Sequence, residues 1–136
     1  MGVKAFIRNK AGKYLFIKRG AVYQSFAGEW TIPGGRITIG EPLRDALARE
    51  IREETGLTLT GEPELLTAQD IIRPPKLHVV RLTYLASVEG EITLDTAEHT
   101  ELQWMTLSEL KKENYDSLFL PVIKLLESRT THKREK

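Results

Sequence analysis

The stretch GRITIGEPLRDALAREIREETGL, residues 35–57, predicts one amphipathic helix that follows a glycine-containing turn. Pro42 suits the first helical position because its ring fixes φ near the helical value. Gly56 suits the end of the helix because glycine readily adopts the left-handed conformation that closes many helices. Leu47 and Ile51 lie about one turn apart on a common apolar face, so this helix is expected to pack against a sheet or another helix.

Three glutamates of this helix fall on its apolar stripe. At roughly 100° per residue, Glu50, Glu53 and Glu54 project into the same sector as the apolar side chains, although a solvated face is available. Like charges three and four residues apart repel by about 0.2–0.5 kcal/mol per pair. Glu53 and Glu54 also lie in the last turn, where the helix dipole disfavours negative charge. A charge run on a helix is usually a solvated face, but this placement calls for a compensating cation.

The compensating cation is expected to be a divalent metal ion. Arg49 can reach Glu53 one turn on, but one guanidinium cannot neutralise three inward-facing carboxylates. Carboxylate oxygens with no histidine or cysteine nearby in sequence suit Mg²⁺ or Mn²⁺, and Mg²⁺ commonly shares its coordination shell with water and substrate phosphates. GRITIGEP lacks the Lys-Ser/Thr pair of a P-loop, and a carboxylate pair of the glycosidase type explains three glutamates less well. The helix therefore indicates phosphate chemistry.

Strand-like runs make up most of the remaining chain. They are VKAFIRN and YLFIKR, which predict an antiparallel hairpin, followed by LLTAQDII, LHVVRLTYLASV, GEITLD and LQWM. Thr106 or Ser108 is expected to cap a small helix in TLSELKKEN, and Pro121 is expected to open a last helix. Strands mixed with a few helices predict an α/β (α+β) fold, a mixed central sheet flanked by helices.

Size and charge set the limits on organisation and partners. The 136 residues suit a single domain, expected over residues 1–129, followed by a basic and frayed tail over residues 130–136. The 20 basic and 19 acidic side chains leave little net field to attract nucleic acid or an anionic membrane. The chain has no cysteine, no apolar run of about 18 residues and no apolar signal core at its start. These features predict a cytoplasmic protein.

The helix and its turn also carry a recognisable motif: Gly35, five residues, Glu41, seven residues, Arg49-Glu50-Ile51, one residue, Glu53-Glu54, one residue, Gly56-Leu57. This motif resembles the full Nudix box, and the sequence is similar to MutT-like Nudix hydrolases. Weaker similarity extends through EWTIPGG, WMTLSEL and LPVI. The resemblance implies an α/β/α sandwich and the hydrolysis of a diphosphate linked to another moiety, often a nucleoside.

The resemblance also implies roles for residues of the box. Glu50, Glu53 and Glu54 would hold Mg²⁺, with Mn²⁺ as an alternative, and the carbonyl of Gly34 would be a further metal ligand. Arg49 would orient the glutamates, while Glu41 would brace the turn against the helix. Gly35 is counted with the residues that bind substrate. The metal would neutralise the diphosphate and lower the pKa of the water that attacks phosphorus.

Residues outside the box are implied less specifically. Family members differ over whether a box glutamate or an acidic residue on a later loop accepts the proton. In TAEHTELQW, Glu98 is the better-matched candidate and Glu101 the second. Arg19 resembles a position that can contact substrate phosphate. Phe119 stands where members that cleanse oxidised guanine nucleotides carry asparagine, and it is expected either to stack on a base or to pack under the last helix.

The expected ligand is a small nucleotide or nucleoside diphosphate derivative, such as an NTP or ADP-ribose. The main alternative is a Nudix-fold module that senses a nucleotide with weak or no turnover. Nucleic-acid binding through the basic tail is disfavoured because the tail lacks interleaved aromatic residues. No membrane partner is expected, and a homodimer is left open.

Overall fold

Two β-sheets form the centre of the fold. The computed structural model describes residues 1–20, 28–93 and 99–135. The first sheet contains β1 (Gly2–Ile7), β4 (Gly34–Arg36), β5 (Thr58–Arg73) and β6 (Leu77–Glu89), in the order β4-β1-β6-β5. The second contains β2 (Tyr14–Arg19), β3 (Trp30–Thr31) and β7 (His99–Met105), in the order β3-β2-β7. Because β1 pairs antiparallel with β4 and parallel with β6, the first sheet is mixed, as predicted.

Within the described ranges, three α-helices connect or flank these strands: α1 (Leu43–Thr55), α2 (Leu107–Leu110) and α3 (Leu120–Glu135), with a 3₁₀ turn at Ser117–Phe119 before α3. Gly56 ends α1 at φ 76°, confirming its predicted role. Thr106 caps α2 in a reciprocal capping box with Glu109. The last helix continues through most of the segment that we expected to be a frayed tail. Among the described residues, no helix is both long and apolar enough to cross a membrane.

The core consists of two apolar clusters on opposite sides of the first sheet. Alternate residues of β1 contribute to the two clusters. Val3, Ala5 and Ile7 face α1, whereas Phe6 faces the opposite side of the sheet. The first cluster receives Ala46, Leu47 and Ile51 from α1. The second receives Phe119 and the α3 residues Val122, Ile123 and Leu126. The result is the predicted sandwich, with helices on both sides of the sheets.

Two strand predictions are wrong. The first two strands do not form a hairpin ladder, because β1 and β2 enter different sheets and only the bridge between Arg8 and Tyr14 joins them next to the turn. The segment GEITLD does not extend the sheet over its described residues, which leave β6 at Gly90. Gly90 has φ 104°, and the N–H of Thr93 instead donates to the carbonyl of Thr55 at 2.6 Å. This segment therefore closes the end of α1.

Candidate active site

The three glutamates of α1 differ in exposure. Glu54 is buried, at 8% exposed, and the Glu50 side chain is 12% exposed. The Glu53 side chain is 58% exposed, so the predicted inward orientation is wrong for this residue. Glu53 lies at the edge of the apolar stripe, where its Oε2 atom is 3.3 Å from Nη1 of Arg49. Pairing with Arg49 therefore keeps this carboxylate at the surface.

Gly34 and Gly35 bring the backbone of β4 against the two less exposed carboxylates. The N–H of Gly34 donates to Oε2 of Glu54 at 3.3 Å. A Cβ atom on Gly35 would lie 2.6–2.7 Å from the carboxylate atoms of Glu50. Gly34 has φ 155°, and a Cβ there would lie 2.1 Å from the carbonyl oxygen of Val3. These four sequence-predicted site residues therefore lie together, in contacts that require glycine in the backbone.

Arg49 joins the turn before α1 to the glutamates. Its Nε and Nη2 atoms bind both oxygens of Glu41, at 2.8 and 3.0 Å. Its Nη1 donates to Oε1 of Glu50 at 3.0 Å, and Nη2 also donates to the carbonyl of Arg36 at 3.1 Å. The hydrogen bonds to Glu41, and then the one to Glu50, raise the pKa of Arg49. One guanidinium thus fixes the turn, the start of the helix and a site carboxylate relative to one another.

Glu41 is held as a carboxylate by its neighbours. Besides Arg49, the backbone N–H of Thr38 donates to its Oε1 atom at 3.1 Å. Hydrogen bonds from Arg49, followed by the one from Thr38, lower the pKa of Glu41 to about 2. Its contacts lie within the turn and with Arg49, which matches the bracing position implied by the sequence.

The chemistry of this donor set fits a hard divalent cation. The carboxylates of Glu50 and Glu54 lie beside the Gly34–Gly35 backbone, and oxygen is the ligand that Mg²⁺ and Mn²⁺ prefer. The Glu50 carboxylate can lie against the backbone of Gly35 because this residue has no Cβ, which would otherwise fill the space. In the part of the chain that the structure describes, no three acidic or histidine side chains converge on one point. The outward orientation of Glu53 accounts for that difference from the expected triad.

A second polar group lies next to the second sheet. Nη1 of Arg81 is 3.2 Å and Nη2 of Arg19 is 3.9 Å from Oδ2 of Asp116, and all three side chains are largely buried. They line a cleft of about 160 Å³ together with Glu29, Arg73 and Leu118. Burial, and then the negative charge of Asp116, raise the pKa of Glu29. Arg19 therefore lines a polar cleft, and its contact to substrate stays a prediction.

Phe119 belongs to the core and not to this cleft. Its ring is fully buried and packs edge to face on Phe6, with 5.6 Å between the ring centroids. The guanidinium of Arg81 lies over the ring, 5.7 Å from its centroid. The expectation that Phe119 stacks on a base is therefore wrong for this conformation, and the packing alternative holds.

Lys4 and Arg81 are polar residues near the site that the sequence analysis missed. Lys4 Nζ donates to the carbonyl of Ile32 at 3.2 Å and to Oγ1 of Thr31 at 3.4 Å. Burial, and then the nearby positive charge of Arg81, lower the pKa of Lys4 to about 8. The available signal was a charged residue inside an otherwise apolar strand, in GVKAFI and in LHVVRLTYL.

The two proposed loop bases have different outcomes. Glu98 lies outside the described residues. Glu101 is exposed and lies within β7, where it pairs with Lys18 of β2, so it is a strand residue and not the loop residue that we expected.

Comparison with known proteins agrees with the motif and the fold. Residues 1–126 match the family described as the NUDIX domain. An ADP-ribose pyrophosphatase from Methanocaldococcus jannaschii is 32% identical over 110 residues, which cover 81% of this chain and 64% of that protein. The m7GpppN-mRNA hydrolase NUDT17 of Danio rerio is 30% identical over 122 residues, which cover 77% of this chain and 41% of that protein. The chain thus spans less than two thirds of the length of these relatives.

A crystal structure of a MutT protein from Methanosarcina mazei Go1 superposes on nearly the whole chain. Its TM-score is 0.76 at 29% sequence identity, and the match covers 99% of this chain and 94% of that one. The arrangement of sheets and helices around α1 is therefore shared with a solved structure over the full extent of the fold.

Proposed function

The chain belongs to the Nudix family, and on this premise we propose that it is a metal-dependent pyrophosphohydrolase of nucleotides or nucleoside diphosphate derivatives. The observation that carries the proposal is the placement of Glu50 and Glu54 against the Gly34–Gly35 backbone, with Arg49 bonded to Glu50. Acidic side chains in such a position can bind a divalent cation, and the cation in turn binds the phosphates of the substrate.

The metal belongs at the α1 carboxylates. Nudix hydrolases generally use divalent metal ions. In our proposal Glu50, Glu53, Glu54 and the carbonyl of Gly34 would hold Mg²⁺ or Mn²⁺. Such an ion, when bound, neutralises the diphosphate and lowers the pKa of a coordinated water.

The residues of the chain supply positioning and proton transfer. Arg49 orients Glu50 and Glu53, and Glu41 fixes Arg49. Gly35 is included among the substrate-binding residues, and its lack of a side chain leaves room for the Glu50 carboxylate. Arg19 contacts a substrate phosphate from the cleft beside Asp116. Hydrolysis forms a bond from a water oxygen to one phosphorus and breaks the bridging P–O bond, whose oxygen leaves with the other phosphate.

A carboxylate accepts the proton of the attacking water, either a glutamate of α1 or Glu98. Positioned proton transfer contributes roughly 10² to 10⁴ in rate, so the corresponding glutamine variant loses about that much in kcat. Retained activity in Glu98→Gln together with loss in folded Glu50→Gln would place the acceptor on α1.

The substrate is proposed from the class shared by the relatives. One relative is named for ADP-ribose and another for capped mRNA, and both ligands contain a phosphoanhydride next to a nucleoside. We therefore propose a diphosphate linked to a nucleoside as the recognised unit. The alternative of a sensing module that binds without turnover remains the competing function.

A substrate panel tests this proposal. The purified chain is incubated with ADP-ribose, a dinucleoside polyphosphate, a cap analogue and NTPs, with Mg²⁺ or with EDTA, and the products are separated by chromatography. We expect Mg²⁺-dependent release of a nucleoside monophosphate or diphosphate from at least one of them. Saturable binding of these ligands without turnover would favour the sensing module.

A further inference from the structure

Lys4 lies where the first sheet meets the turn that carries Gly34. On β1 it pairs with Gly34 of β4 on one side and with Thr83 of β6 on the other. Its side chain runs along Gly34, since a Cβ on that glycine would lie 2.9 Å from Cδ of Lys4. The ammonium group ends at the carbonyl of Ile32, at 3.2 Å. Lys4 thus contacts the segment that presents Gly34 to Glu54.

Among the described residues, the Lys4 ammonium forms hydrogen bonds only to neutral groups. Both of its hydrogen bonds go to uncharged oxygens, and across residues 1–20, 28–93 and 99–135 no carboxylate forms an ion pair with it. An ammonium has three N–H donors, so these two bonds leave one donor for a further acceptor. Partly buried charges are ordinarily paired, because removing them from water is costly. The arrangement therefore favours an anion that is not part of the described chain.

The strands next to Lys4 carry buried polar atoms. Thr83, directly across from Lys4, is fully buried, and its Oγ1 has no hydrogen-bond partner within the described chain. The same holds there for Oγ1 of Thr67 and Oε1 of Gln69, on the neighbouring strand β5. Buried polar atoms normally have partners, so these three atoms show that the interior next to Lys4 is polar and incompletely paired within the described residues.

Lys4 is also within electrostatic range of both parts of the site. Its ammonium interacts electrostatically with Arg81 of the cleft and with Glu54 of α1. Arg19 and Asp116 of the cleft interact with it more weakly. A substrate whose diphosphate is held at α1 and whose remaining part enters the cleft therefore passes close to Lys4. The anion that such a substrate brings to this position is a phosphate group.

We propose that Lys4 is a substrate-contact residue, and that its ammonium binds a phosphate oxygen of the nucleotide between the α1 carboxylates and the Arg19–Arg81 cleft. This inference rests on the proposed function and adds a recognition residue to it. Lys4 discriminates phosphorylated from unphosphorylated nucleosides, because only the former supply an anion to the ammonium.

Binding measurements without metal test this role directly. Lys4→Met is compared with wild type and with Lys112→Met, a matched change at an exposed lysine next to α2. Calorimetry in EDTA measures the Kd of AMP and ADP, and of adenosine as the uncharged control. We expect Lys4→Met to weaken the binding of AMP and ADP by about 10- to 100-fold in Kd, which is the range of a charge-assisted hydrogen bond. Adenosine binding and all constants of Lys112→Met stay within about twofold.

The possible results separate a phosphate contact from a structural role. The proposal would be contradicted if Lys4→Met lost as much affinity for adenosine as for AMP. It would also be contradicted if wild type bound AMP no more tightly than adenosine. Thermal melts check folding, and Lys4→Gln replaces Lys4→Met if the latter does not fold, because its amide can still donate to Ile32. Lys4→Arg, which keeps the charge, should retain most of the preference for AMP over adenosine.

Turnover assays distinguish failure of this inference from failure of the proposed function. A wild-type chain that hydrolyses nothing in the substrate panel contradicts the function. A Lys4→Met enzyme that hydrolyses the same substrate with an unchanged KM contradicts the Lys4 contact alone. We expect its KM to rise more than its kcat falls, because the contact is made with the bound substrate before the chemical step.

Discussion

Gly34 and Gly35 are neighbours with different physical constraints. A side chain on Gly34 would meet backbone, the carbonyl of Val3, and would require a φ of 155°. The nearest atoms that a side chain on Gly35 would meet belong to the end of the Glu50 side chain, which can rotate away. The first glycine is therefore required by the fold, whereas the second is required by the position of a carboxylate.

This difference predicts opposite phenotypes for two alanine variants. Gly34→Ala should lower the free energy of unfolding by about 2–4 kcal/mol or prevent folding, because a backbone clash cannot be relieved locally. Gly35→Ala should fold with a nearly unchanged Tm but lose at least about tenfold in kcat, because Glu50 is displaced. Urea unfolding and steady-state kinetics measure the two effects. Equal stability loss in both variants, or full activity in Gly35→Ala, would contradict this interpretation.

At the scale of elements, the turn after β4 and helix α1 are joined by one ion pair. Arg49 binds both oxygens of Glu41, and Thr38 adds a backbone hydrogen bond to the same carboxylate. Because Glu41 precedes Pro42 and Arg49 is the middle residue of α1, the pair fixes the direction in which the chain enters the helix. The same guanidinium also contacts Glu50 and Glu53 of α1.

The pair makes stability depend on pH in a defined window. The pKa of Glu41 is about 2 in the folded chain against an ordinary value of 4.5. A lowered pKa stabilises the fold above pH 4.5, and this contribution is lost as the pH falls from 4.5 through about 2. We expect the Tm difference between wild type and Glu41→Gln to be largest above pH 5 and to shrink below pH 4.

The control for this prediction is Glu62→Gln. The Glu62 side chain is 86% exposed and forms a surface ion pair with Arg44, so its removal should change Tm little at any pH. A constant Tm difference between wild type and Glu41→Gln from pH 7 to pH 3 would contradict the proposed linkage.

Elements with local signals were predicted from the sequence, and those that depend on distant partners were not. Pro42 and Gly56 bounded α1 to within a residue, because capping preferences act on adjacent residues. The β1–β2 hairpin was mispredicted because strand pairing depends on which distant strand is available, and β6 takes the place beside β1. Glu53 was misplaced because a helical wheel ignores the ion pair with Arg49.

At the scale of the whole molecule, the cleft beside the second sheet brings together residues that are far apart in sequence. Arg19 comes from β2, Arg81 from β6 and Asp116 from the segment before the 3₁₀ turn. No spacing in the sequence predicts this meeting, because it depends on how the two sheets face each other. The α1 carboxylates were predictable because one helix carries them.

The burial of Phe119 bears on which nucleotides the cleft can distinguish. An aromatic ring in the core offers no paired hydrogen bonds to a purine edge, and polar readers are what support discrimination of roughly 10⁴. We expect kcat/KM for 8-oxo-dGTP and dGTP to agree within about tenfold, or roughly 1.4 kcal/mol. The two nucleotides are compared side by side under identical Mg²⁺. A preference of several hundredfold would instead identify a polar reader, with Asp116 of the cleft as the first residue to test.

The central claim is that the carboxylates of α1 hold the metal that drives diphosphate hydrolysis. Glu54 is the most direct probe, because it is the buried carboxylate and accepts the N–H of Gly34. Its replacement by glutamine keeps the size of the side chain and removes a charged ligand. Glu62→Gln serves as the exposed control.

The decisive measurement is kcat of Glu54→Gln at saturating Mg²⁺ on a substrate that wild type hydrolyses. We expect a loss of about 10²-fold or more, because the metal both neutralises the substrate and generates the nucleophile. The Tm without metal should stay unchanged or rise slightly, because a repulsive like-charge contact with Glu50 is removed. A folded Glu54→Gln protein with a kcat close to wild type would contradict the account.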